Sequence, residues 1–155
     1  MQRAVAQSRA NILVTGIVAG LIGGVLIESF LAIANHANVI QIWQFVASGV
    51  VGGVAFTSSN YAVLGFAMHF AISIVWATIY TWAALGPLPT LARHPVVSGL
   101  LYGAVVMIGM DVLLIVKHVG PGGLPDPGSL FISLIAHTVF FGLPVALFVG
   151  KTARS

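Results

Sequence analysis

The chain has 155 residues, of which 59% are hydrophobic and only 6% charged, with a formal net charge of +3. A soluble domain carries about 25% charged residues, so this composition excludes a solvated globular surface and leaves room for a single bundle of membrane helices. The six basic residues never cluster, which excludes a nucleic-acid face, and the absence of Cys excludes disulfides, thiolate metal sites and thiol chemistry.

The first apolar segment, residues 11–34, follows Arg3 and Arg9. Ala32-Ile33-Ala34 resembles a signal-cleavage site, but the apolar run is long for a signal and Glu28 interrupts the approach, so the segment reads as a retained span. Residues 39–56 are apolar but hold Gln41, Gln44 and Ser48 together with Gly49, Gly52 and Gly53. Asn60 is placed to cap the next span, 60–85, whose Trp76, Tyr80 and Trp82 read as an interfacial aromatic belt. Gly86-Pro87 and Pro89 make a tight connection. His94-Pro95 opens span 95–116, with His94 as its cap. Gly120-Pro121-Gly122-Gly123 and Pro125 make a longer connection. Asp126-Pro127 then opens span 127–149, which Pro144 should kink.

Charge placement chooses between four spans and five. With four, Arg3, Arg9, Arg93, Lys151 and Arg154 share one side and only Lys117 lies opposite; with five, the basic residues divide equally. The positive-inside bias therefore predicts four spans with both termini cytoplasmic. Residues 39–56 become an interfacial or re-entrant segment on the outer side, tolerable at depth only where protein covers its backbone. The expected fold is an all-α, polytopic membrane four-helix bundle forming one transmembrane domain.

Within this frame the ionisable residues fall together. At about 1.5 Å per residue, Glu28 and Asp111 lie about 25 and 24 Å from the cytoplasmic starts of their spans. His69 and His137 lie about 14 and 15 Å from the outer starts of theirs. In a hydrocarbon core of about 30 Å, all four occupy the outer half. Each also shares a helix face with small residues: Glu28 with Gly16, Gly20 and Gly24; Asp111 with Gly99 and Gly103; His69 with Gly65 and Ser73; His137 with Ser129 and Ser133. The first helix of each half carries glycines and then an acid, and the second a small residue and then a histidine, which suggests two like halves about an axis along the membrane normal.

Ionisable groups in a bilayer are costly and default to a functional reading. Two histidines and two carboxylates suit a divalent metal ion such as Zn²⁺, Mn²⁺ or Fe²⁺, or a proton site, since imidazole titrates near neutral pH. The structural alternative is two buried acid–histidine pairs that fix helix register. A bis-histidine haem b on His69 and His137 would explain the histidines but neither acid, and few basic residues are present for its propionates. His36 and His118 lie near the outer surface, His36 as a solvated residue and His118 on nearly the face of Asp111. Ser133 and His137, four apart on one helix, are poorly placed for nucleophilic attack, so no enzyme is expected.

The segments Ser98-Gly99-Leu100-Leu101-Tyr102-Gly103 and Ala136-His137 through Gly142-Leu143-Pro144, with His69-Phe70, Trp76 and Tyr80, resemble those of small bacterial four-helix inner-membrane proteins. They are also similar to the YagU type, linked in that family to acid resistance. The resemblance implies the bacterial cytoplasmic membrane and carries over no catalytic residue. Two functions are thus expected of the sequence. One is a buried ion or proton site in a homo-oligomer. The other is an accessory subunit packed against a larger membrane complex.

Overall fold

The computed structural model describes residues 2–117 and 126–154, with side chains described for 11–110 and 126–154. Its described elements are helical, with no strand among them. They are α1 (Gln2–Ala34), α2 (Val39–Val51) with a 3-10 turn (Gly52–Thr57), α3 (Tyr61–Leu85), α4 (Thr90–Arg93), α5 (Pro95–Lys117), and α6 (Pro127–Ile135) running through a π turn (Ala136–Gly142) into α7 (Leu143–Thr152). The Gly120-to-Pro125 connection and His118 lie outside the described residues, as do the side chains of Asp111 and Lys117.

Among the described residues, four helices are long and apolar enough to cross a membrane: Asn11–Ala34, Val39–Thr57, Tyr61–Leu85 and Pro127–Thr152. This set differs from the expected one. By composition the segment set aside as interfacial qualifies, while the Pro95 helix is apolar over Pro95–Met110 among the described residues. Helix α5 nonetheless runs 23 residues, about 34 Å, enough to cross. Geometry separates the two cases. Gln44 Nε2 donates to Ser58 O at 3.1 Å, whereas a straight α-helix and 3-10 rod would hold those residues about 24 Å apart. The chain reverses at Gly52, whose φ of +70° is a left-handed conformation glycine adopts without steric penalty. Residues 39–57 are therefore a folded-back hairpin and not one straight rod.

Close helix contact comes from glycine. Buried positions on α1 recur as adjacent pairs, Thr15-Gly16, Ala19-Gly20, Gly23-Gly24 and Ile27-Glu28, giving the helix two packing edges. The Gly16, Gly20 and Gly24 edge lies on Thr78, Ile74 and Phe70 of antiparallel α3, and Gly23 lies on Phe141 and Val145 of the fourth span. The second half repeats the device: Gly99 packs on Gly142, Leu143 and Ala146, and Gly103 on the backbone of His137 and Thr138. Alanines 19, 47, 55, 77, 136 and 146 are buried, while large aliphatics such as Leu13, Val14, Val63, Val97, Leu101 and Ile108 face outward. Small inside and large outside is the pattern of a bundle solvated by lipid.

Helix ends follow local chemistry. α1 stops in a Schellman motif, with Ala37 N donating to Ala32 O and His36 N to Ile33 O, and with His36 left-handed at φ 50°. Asn38 and Gln41 form a capping box at the start of α2. Asn60 does not cap α3 with its side chain, contrary to expectation; it is already helical, and Ser58 Oγ accepts from Asn60 N instead. His94 acts through its backbone, its carbonyl accepting from Ser98 N. Asp126 caps α6 as expected, accepting from Gly128 N and Ser129 N. Pro144 lacks the N–H that would close an α turn, and the chain widens just before it, with Leu143 N donating to Thr138 O.

The aromatic belt needs correction. Trp82 is exposed, but Tyr80 is 1% exposed. Its hydroxyl meets Ser98 Oγ at 2.7 Å, and Ser98 Oγ donates to Leu91 O at 2.8 Å. Tyr102 OH donates to Trp76 O at 2.5 Å. These tyrosines fill the space between α3 and α5, and Gly109 of α5 packs on the Trp76 ring. Gly150 packs on Ala92 O and Pro95, so Arg93, Lys151 and Arg154 gather at one end of the bundle.

Candidate functional site

The glycine edge that brings α1 against α3 also positions the first acid. Glu28 lies one turn beyond Gly24 on the same edge and is 7% exposed. His69 reaches it from α3, with Nε2 at 3.9 Å from Glu28 Oε2. The same nitrogen lies 2.9 Å from Gly24 O. A carbonyl can only accept, so Nε2 carries its hydrogen. The edge of the ring rests on Phe70, 5.1 Å between centroids. This is a desolvated carboxylate–imidazole pair joining two helices.

His137 sits in the π turn of the fourth span. Its Nδ1 donates to Ser133 O at 2.8 Å, with Ser133 Oγ at 3.3 Å. Its backbone carbonyl faces Gly103, and Phe140, three residues on, stacks on Phe30 of α1 at 4.3 Å. The site expected from sequence therefore divides. Glu28 and His69 meet; His137 lies on the neighbouring span; Asp111 is on α5 with its side chain outside the described residues. Among the described residues, no group of three His, Asp or Glu side chains is gathered closely enough to hold a metal ion. The likeness of the halves holds for the glycine edges and less well for the acids. Glu28 is four residues past Gly24, whereas the residue four past Gly103 is Met107, and Asp111 comes a turn later.

One member of the site was not among the expected residues. Trp43, on α2, packs its backbone carbonyl against Gly65, one turn from His69, and its ring edge-on to Phe66 at 5.1 Å. Its indole Nε1 is buried and has no hydrogen-bond partner among the described residues. A tryptophan in an apolar run with glutamines gave no sign of this, because the contact depends on the hairpin folding back. His36 is exposed, as expected.

No protein-family model, no curated protein and no solved structure matches this chain. Its functional reading rests on the site itself.

Proposed function

We propose that this chain is a small polytopic membrane protein whose Glu28–His69 pair binds and releases protons inside the bilayer, with His137 and Asp111 as further members of the polar layer. The observation that carries the reading is the pair itself: a carboxylate and an imidazole 3.9 Å apart, each side chain about a tenth exposed. Ionisable groups so placed cost several kcal/mol unless they compensate one another. A pair that exchanges between charged and neutral forms can hold or pass a proton without stranding a charge. The tautomer favours protons over a metal ion, since His69 Nε2 would have to give up Gly24 O before it could ligate beside Glu28.

Four crossings, α1, α3, α5 and the α6–α7 span, with both termini cytoplasmic and the α2 hairpin re-entrant from the outer side, suit this reading. The clustering of Arg93, Lys151 and Arg154 at one end supports the orientation. An accessory-subunit role has less support, because the glycine edges that would meet a partner are occupied by the chain's own helices.

In vesicles enclosing a pH-sensitive dye, the wild-type protein should speed relaxation of an imposed pH step. Glu28→Gln and His69→Ala should each lose most of that effect, and His69→Ala with His137→Ala should lose it all. Undiminished proton flux in Glu28→Gln would sink the proposal. Stoichiometric metal in the purified wild type, absent from the double-histidine variant, would reassign the layer to a metal ion.

A further inference from the structure

We infer that Trp43 is a positioning residue of the Glu28–His69 site, its indole N–H serving as a hydrogen-bond donor for the Glu28 carboxylate. This rests on the proton-site reading and adds to it the hairpin as a third element of the site.

Three observations converge on the residue. Nε1 is buried without a partner among the described residues, although an unsatisfied buried N–H is costly. The ring lies at the level of the pair: Phe66 beneath it packs on Phe70, which meets both the His69 ring and Gly24, one turn before Glu28. Its position is fixed from two sides: the Trp43 carbonyl occupies the place a Cβ at Gly65 would take, and the ring is seated on Phe66. The hairpin is itself anchored by the Gln44–Ser58 bond, so the indole is held in place. A donor fixed short of its acceptor is engaged by a small movement of the carboxylate. It favours the ionised form, because a neutral acid accepts more weakly.

Few other groups compete for that role. Of the elements packed on α1, α3 brings His69 to the carboxylate, and its Tyr61 and Tyr80 lie toward its ends. The π turn carries His137, with Nδ1 committed to Ser133. α7 carries Lys151 near the opposite end of the bundle, and α2 has no titratable side chain.

The test is an infrared titration of Glu28 in the full-length protein, with the Glu28→Gln difference identifying its band. Trp43→Phe keeps an aromatic ring on Phe66 and removes the donor. At the pH where wild-type Glu28 is half protonated, the variant's ratio of ionised to neutral acid should fall about tenfold, the effect of losing one hydrogen bond to a charged group. An unchanged ratio in folded Trp43→Phe overturns the inference while leaving the proton site standing. If no band is lost in Glu28→Gln, the underlying proton-site reading fails instead. Should Trp43→Phe not fold, ¹⁵N-indole NMR of the wild type decides. The Trp43 N–H resonance should follow the Glu28 titration and become pH-independent in Glu28→Gln, and a resonance indifferent to that substitution overturns the inference.

Discussion

At the scale of single residues, two carboxylates show opposite solutions to holding a charge. Asp126 is exposed at the start of α6. The Ser129 hydroxyl, first, and the Ser129 and Gly128 N–H groups hold its carboxyl below the usual carboxylate range. Because the folded value is depressed, the stabilisation is complete above the ordinary Asp range and is lost as pH falls through the folded value. Asp126→Asn, which still caps, should flatten the acid limb of a pH–stability profile; an unchanged limb would remove the cap as its source. Glu28 has no such ring of donors: His69 is its ion-pair partner and the Trp43 indole the one donor proposed for it. A double-mutant cycle on Glu28→Gln and His69→Ala should give a coupling of about 1–2 kcal/mol, in the range of polar contacts between membrane helices. Reversible unfolding in mild detergent would measure it, and strictly additive losses would show that the pair is not a stabilising contact.

At the scale of elements, the helices are joined by backbone proximity more than by large side chains. A Cβ at Gly20 would sit 2.6 Å from Ile74 Cα, and one at Gly103 would collide with the His137 carbonyl. Backbone cannot move aside, so Gly20→Ala and Gly103→Ala should each cost about 3 kcal/mol, the upper range for overpacking. Gly103→Ala should also disturb the π turn that carries His137. Gly53 has nothing within 4 Å of its would-be Cβ, and Gly53→Ala should melt within about 0.5 kcal/mol of wild type. Comparable losses at all three positions would contradict this picture of the packing. The edges also explain why the acid on α1 finds a histidine: the residue one turn past a glycine contact is carried into the same narrow gap.

At the scale of the whole molecule, the hairpin decides the topology. If 39–57 enters and leaves from one side, cysteines placed at Asn38 and Ser59 should both react with an impermeant thiol reagent added from the same face. The native chain has no Cys to interfere. Labelling from opposite faces would instead make the segment a crossing and place the termini on opposite sides. The hairpin also gives the bundle a third wall at the Glu28–His69 level, where α2 rests on α3.

The sequence by itself determined the class of the molecule, the helices and most of their ends, since hydrophobic length, proline, glycine and capping residues act locally. It also marked Glu28 and His69, because ionisable residues in apolar runs stand out and their depth follows from helix rise. Tertiary structure decided which of them meet. Depth and face left rotation about each helix axis and the choice of neighbour open, and those were set by which glycine edge packs on which span. The burial of Tyr80, the reversal at Gly52 and the packing of Trp43 on Gly65 and Phe66 depend on contacts distant in sequence. No local pattern encodes them.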